Sequence, residues 1–393
     1  MSIFKFKCGF SMIFLLLFGS TGLMAENRWE PDYSLAKQLI KLPIDRIQDE
    51  FAIKIKEEKV KYALLISRKL IYSFKEYEKA KVYLKLAENE LEKKKGEYKA
   101  WVSIYTFYMS IAQYNYDYRK AIDYGILGLQ HAKKDKKYNV DMLFYLLKSI
   151  SDSYYTVGDY VNSVKYSKEM ADEAENVGSV INEAEAQYSL ASAYYRSSKL
   201  SEAEKSAHKA FELYKKIDNT KGLGHSKKVL GSVYNARGLH EKAKESYLEA
   251  IRYYSKIKNH HGVANCNYNL GVMFKKSKSY AESIIYLENA SYHFMQSGSA
   301  SGSGMSKMEQ GNVYQKLGEF EKASLLYEES KNLLTRTNAL NRLAQLETYY
   351  ASYYLKLNRK DAAKQSYINA MKIYRNSNNQ VMVDWVSKQI NKI

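Results

Sequence analysis

The 393-residue sequence predicts an all-α protein, a right-handed α-solenoid of antiparallel helix pairs. Three observations predict it. A short phrase recurs every 40 residues, which marks a stacked array rather than separate globular domains. Proline is confined to Pro31 and Pro43, so no ring breaks a helix after residue 50. Small and aromatic residues recur at constant offsets from the phrase, at spacings that fall on helical faces.

The first element, residues 1–25, reads as an export signal. Lys5 and Lys7 form a positive start, Phe10 to Phe18 (FSMIFLLLF) an apolar core, and Gly19 to Ala25 a small, weakly polar stretch. Cleavage after Ala25 fits the small-residue rule; an uncleaved segment is instead a membrane anchor. Either outcome places the array outside the cytoplasm, in the periplasm or an equivalent extracytoplasmic space. Of the two cysteines, Cys8 lies in the signal, so the mature chain keeps only Cys266 and can form no intrachain disulfide. Residues 26–60 form a linker with loose helix and an N-terminal capping helix over 44–59, with Ile44, Ile47, Phe51 and Ile55 on one face.

The array spans 61–376 and holds about eight units. The phrase is a glycine or polar residue, an apolar or aromatic one two places on, and a small one three further. It runs Gly158-Asp-Tyr160-Val-Asn-Ser163 and returns so that Ala203, Ala243, Ser283, Ala323 and Ala363 follow at intervals of 40. These six units, 144–376, keep strict phase; two earlier copies end at Ala80 and Ala121 with spacings of 41 and 42. Twelve residues before the closing small residue stands another: Ser151, Ala191, Gly231, Gly271, Gly311 and Ala351. Three further on comes an aromatic: Tyr154, Tyr194, Tyr234, Phe274, Tyr314 and Tyr354. In the two early units Arg68 and Met109 stand where a small residue is expected, which predicts more open crossings. The run Ser297 to Gly304 (SGSASGSG) reads as a longer turn between units, in phase with Asn219 to Gly222 and Asn259 to Gly262. Residues 377–393 form a C-terminal capping helix through Val381, Trp385 and Ile390.

A small residue on each of two antiparallel helices lets their backbones approach, and the aromatic one turn later fills the wedge as they diverge. A glycine or asparagine in the turn takes the left-handed conformation that ends the first helix. One pair cannot bury its apolar face alone, so the units stack. The pattern closely resembles the tetratricopeptide repeat family, in the long-helix variety found in kinesin light chain and in bacterial signalling proteins. The resemblance implies a superhelix whose first helices line a concave groove that holds peptides or partner segments. Carried onto this chain, the groove residues include Lys148, Tyr155, Tyr188, Tyr195, Arg196, Lys228, Asn235, Tyr268, Lys275, Asn312, Lys316 and Lys356. Met308, Gln315 and Thr348 fall in the same set.

The net charge of +18 rests on lysine far more than arginine, and no nucleic-acid motif accompanies it. No phosphate loop, dinucleotide fingerprint, metalloprotease helix or nucleophile elbow occurs. His260 and His261 adjoin, without a spaced third metal ligand. The expectation is no catalytic, cofactor or metal site. The expected function is that of a non-enzymatic, exported scaffold or adaptor binding a protein or peptide segment of acidic character, with no nucleic acid and no small-molecule substrate. The alternative is a signalling or regulatory module that docks onto a separate sensor or effector. The export signal sets the chain apart from cytosolic peptide-sensing phosphatase regulators that share the repeat.

Overall fold

The computed structural model describes residues 33–55, 58–92, 94, 96–135, 140–377 and 379–393. The expected signal, 1–25, lies outside the described residues. Within them the chain is all-α: nineteen α-helices and no strand. It divides by internal contact into two units, one ending at Ser206 and the other starting at Ala207.

The N-terminal unit opens with α1 (Tyr33–Ile40), a 3-10 turn (Ile44–Arg46) and α2 (Ile47–Lys54). Helix pairs follow: α3 (Lys59–Lys69, continued by a π-turn, Leu70–Phe74) with α4 (Tyr77–Leu91), α5 (Tyr98–Tyr114) with α6 (Tyr118–Lys134), and α7 (Val140–Val157) with α8 (Tyr160–Asn176). Next come α9 (Val180–Arg196) and α10 (Leu200–Lys216), within which the boundary falls. The C-terminal unit holds α11 (Thr220–Ala236) with α12 (His240–Lys256), α13 (His260–Lys276) with α14 (Tyr280–Gln296), α15 (Ala300–Leu317) with α16 (Phe320–Arg336), α17 (Leu340–Lys356) with α18 (Lys360–Asn376), and a last helix, α19 (Gln380–Ile390). Within each unit successive first helices touch, α7 with α9 and α11 with α13 with α15 with α17; among the described residues successive second helices do not come as close. The first-helix side is therefore the inner side of each stack.

The turn inside each pair is left-handed at one residue, with φ between 57° and 86° at Lys75, Tyr116, Gly158, Ser198, Gly238, Lys278, Gly318 and Asn358. Four of these eight are neither glycine nor asparagine, so the stack imposes a conformation that their side chains disfavour. The amide just beyond reaches back to the repeat aromatic's carbonyl: Asp159 to Tyr154 at 2.9 Å, Ser279 to Phe274 at 2.9 Å, Arg359 to Tyr354 at 2.8 Å. The recurring aromatic thus sits where the helix end closes its last hydrogen bond.

Between pairs the turn is equally short. Asn219, Asn259 and Ser299 each accept a hydrogen bond from the amide three residues on, Gly222 (2.9 Å), Gly262 (2.9 Å) and Gly302 (3.3 Å), and the helix starts at the next residue. The Ser/Gly run is therefore no longer turn: from Ala300 it is α15. A Cβ at Gly302 would lie 2.5 Å from the Phe294 ring, as one at Gly262 would from Tyr254. These glycines admit an aromatic ring onto the first turn of the helix.

Local register departs from expectation in three places. Ser67, not Arg68, sits at the α3/α4 crossing, fully buried, with its hydroxyl 3.3 Å from the Ala80 carbonyl. The π-turn that follows inserts the extra residue, so this crossing is closed rather than open. Ile44 is half exposed in the 3-10 turn, while Ile47, Phe51 and Ile55 are buried. At the C-terminus the Asn379 side chain caps α19, and the rotation this sets buries Val383 and Val386 while Val381 points to solvent and Trp385 packs edge-on against Tyr367.

Candidate partner-binding face

In the N-terminal unit Lys148 lies between two carboxylates, Asp152 at 3.1 Å and Glu185 at 3.3 Å. Burial favours its neutral form, but the two carboxylates outweigh burial and hold the ammonium above its ordinary range. Tyr155 is half-buried and meets Tyr160 edge-on at 5.6 Å. The Arg196 Nε donates to the Tyr160 hydroxyl at 3.1 Å, and its guanidinium stands 5.6 Å from that ring's centre. Burial raises the Tyr155 hydroxyl's pKa, opposed by Arg196. Tyr188 and Tyr195 are half-buried on α9. Lys148 and Arg196 thus belong to two separate clusters, each with partners inside the unit.

In the C-terminal unit Lys275 pairs with Glu309, whose side chain is only 4% exposed, and stands 5.7 Å from the Tyr349 ring centre. The Tyr349 hydroxyl donates to Glu309 at 3.1 Å. Burial, then Glu309, pushes the Tyr268 and Tyr349 hydroxyls up. Glu309 and Tyr349 were not foreseen as part of this face, because a contact 34 or 40 residues away in sequence leaves no local signature. Lys228 lies near His261 and Cys266. Burial, then Lys228, lowers the His261 pKa; burial pushes the Cys266 thiol up to about 12, against Lys228. Asn235 and Asn312 are half-buried, and Lys316 and Lys356 are exposed in the last turns of α15 and α17. Among the described residues no carboxylate lies within ion-pair distance of Lys228, Lys316 or Lys356.

Three residues expected on the face are core instead. Met308 is fully buried, Thr348 nearly so, and Gln315 donates to Ser352 at 3.0 Å while accepting from Tyr327 at 2.7 Å. His260 pairs not with His261 but with His293, Nδ1 to Nδ1 at 2.9 Å. Among the described residues no group of three or more His, Cys, Asp or Glu side chains is arranged to hold a metal, and no helix is long and apolar enough to cross a membrane.

The first helices differ in charge along the chain: α3 and α5 carry Lys59, Lys61, Arg68, Lys69 and Lys99 and no carboxylate, and α15 and α17 carry Glu309 and Glu347 among their cations. α7 and α9 carry Asp141, Asp152, Glu183 and Glu185 against Lys148 and Arg196. α11 and α13 carry Lys221, Lys227, Lys228, Lys275 and Lys276 and no carboxylate.

Comparison with known proteins agrees with this architecture. The family model for soluble NSF attachment protein matches residues 231–351, and a tetratricopeptide repeat model matches 350–377. The apo form of RapI superposes with a TM-score of 0.64 at 14% identity, over 88% of this chain and 96% of that one. A Rap protein solved with competence and sporulation factor gives 0.54 at 14% identity, over 85% and 97%. Aspartyl phosphate phosphatase F from Bacillus subtilis gives 0.51 at 14%, over 93% and 95%. No curated protein sequence matches the chain. The class is an α-solenoid, and its repeats are of the tetratricopeptide type, as the sequence pattern implied.

Proposed function

We propose that the chain is an exported, non-enzymatic adaptor that captures extended protein segments on its first-helix face, and that the C-terminal unit selects acidic ones. The observation that carries this is that α11 and α13 hold no carboxylate, whereas on α7 and α9 Asp152 and Glu185 stand against Lys148. A lysine-rich composition alone would load all first helices alike. Lys275 is spent on Glu309, so the recruiting cations are Lys228, Lys316 and Lys356. Half-buried Tyr268 supplies amphipathic contact beside them. The regulatory reading, docking onto a separate sensor or effector, draws support from the fold shared with the Rap structures.

Reversal of Lys228, Lys316 and Lys356 to glutamate tests the acidic preference. Crosslinked capture in intact cells falls at least tenfold, and the wild-type capture weakens with salt; unchanged capture overturns it. For export, alkaline phosphatase fused at residue 60 is active; an inactive fusion overturns that part.

A further inference from the structure

The repeat dictates which side chains fill the space between successive second helices, and one unit departs from it. At the position of Gln310 the other five 40-residue units carry Ile150, Leu190, Leu230, Leu270 and Tyr350. At Ser303 four of them carry Leu143, Leu223, Val263 and Leu343. The Ser/Gly run therefore thins α15 on its second-helix side. The missing volume opens a cleft of about 800 Å³ between α14 and α16, floored by α15. Gln310 is buried there, and its amide reaches only the Ile284 carbonyl, at 3.4 Å. Three apolar side chains on the walls are more than half exposed: Tyr292, Met295 and Leu325. A smaller cleft of about 530 Å³ shares Leu325 and continues to Tyr353 and Leu357. An exposed apolar patch of this kind, rimmed by charge, marks an interaction site.

The rim has a sign. Its carboxylates are Glu288, Glu321, Glu328 and Glu329. Its cations are Lys307, paired with Glu329, and Lys322, paired with Glu319. On a chain of net charge +18 this strip is locally acidic.

We propose that the strip is a second docking site, whose occupant is a cationic amphipathic helix of a partner protein. The cleft is a trough between two helices, open along its length, so it takes a rod rather than a compact ligand. The 17 residues of α14 span about 25 Å, just under five turns, which is long enough to seat three apolar anchors of a docked helix. Those anchors enter where core side chains are missing, and the partner's cations face Glu288, Glu321 and Glu328. The site stands apart from the first-helix face, so the adaptor holds two partners of opposite charge.

The test uses the full chain and two synthetic helical peptides of about 18 residues, matched to α14 in length, with the same leucine face and either lysine or glutamate elsewhere. The lysine peptide binds and the glutamate peptide does not. Leu325→Glu weakens binding of the lysine peptide roughly tenfold or more. Attraction by charge alone predicts the reverse, since that variant adds a carboxylate. Ser303→Val with Gln310→Leu refills the cleft with the side chains of the other units; it abolishes binding while the thermal midpoint stays level or rises, which separates loss of the site from loss of the fold. Equal binding of both peptides, indifference to Leu325→Glu, or self-association of the chain through this face in sedimentation overturns the proposal.

Discussion

In the C-terminal unit a glycine on the first helix faces a large side chain on the second: Gly231 under Tyr247, Gly271 under Leu287, Gly311 under Tyr327, where a Cβ would approach within 2.5–2.7 Å. In the N-terminal unit the α5/α6 crossing is inverted. Met109 on the first helix projects over Gly125 on the second, where a Cβ would lie 3.0 Å from the Met109 sulfur and 2.6 Å from Ile150. The α7/α8 crossing uses neither arrangement: Ser151 bonds Ser163 at 3.1 Å and Ser167 at 2.7 Å. What the stack requires is a complementary sum of volumes at each crossing, not a small residue at one address. The first helices differ in charge by a similar exchange. α7 and α9 balance Lys148 with Asp152 and Glu185, while α11 and α13 leave cations in excess.

The largest expected effect breaks the charge half of this comparison. Lys275→Met leaves Glu309 buried without its cation, held only by the Tyr349 hydroxyl, and costs about 3–5 kcal/mol of unfolding free energy in urea titration. Lys148→Met costs clearly less, because Asp152 and Glu185 keep access to water, with side chains 35% and 24% exposed. Equal losses would show that the two clusters are the same kind of site.

The packing half is sharpened by exchanging the parts. Gly125→Leu overpacks α5/α6 and destabilises by about 1–3 kcal/mol, and adding Met109→Gly recovers much of the loss. A double variant no more stable than the additive sum would sink the idea of inverted complementarity.

The smallest effect is in pH. Burial is the first cause that lowers the pKa of His131 in the N-terminal unit and of His261 and His293 in the C-terminal unit; Lys134, Lys228 and His260 in turn add to it. Each folded-state value lies below the ordinary 6.5, so the unfolded chain takes up protons first as pH falls. Stability is therefore complete above that value and declines as pH drops through and below it. The urea midpoint should be lower at about pH 5.5 than at about pH 7.5, and His293→Asn should flatten the difference. A midpoint that does not move with pH would contradict it.

Much of the fold was legible because helix geometry is local. The 40-residue phase and the aromatic that closes each first helix follow from which side chains share a face, and the sequence alone determined them; the left-handed turns at Lys75, Tyr116, Ser198 and Lys278 were imposed by the stack. The candidate face was legible only in part. Lys316 and Lys356 are exposed and Lys228 is half-buried, but Met308, Gln315 and Thr348 turned inward. Only the tertiary structure decided that Ser67 replaces Arg68 at its crossing, that Glu309 neutralises Lys275, and that Gln310 and Ser303 leave a cleft unfilled. A π-turn that inserts one residue resets the register of its crossing, a buried ion pair joins positions 34 residues apart, and a cavity exists only relative to its neighbours. Periodicity determines the helices and their pairing; which volumes and charges meet across them is settled when the chain closes up.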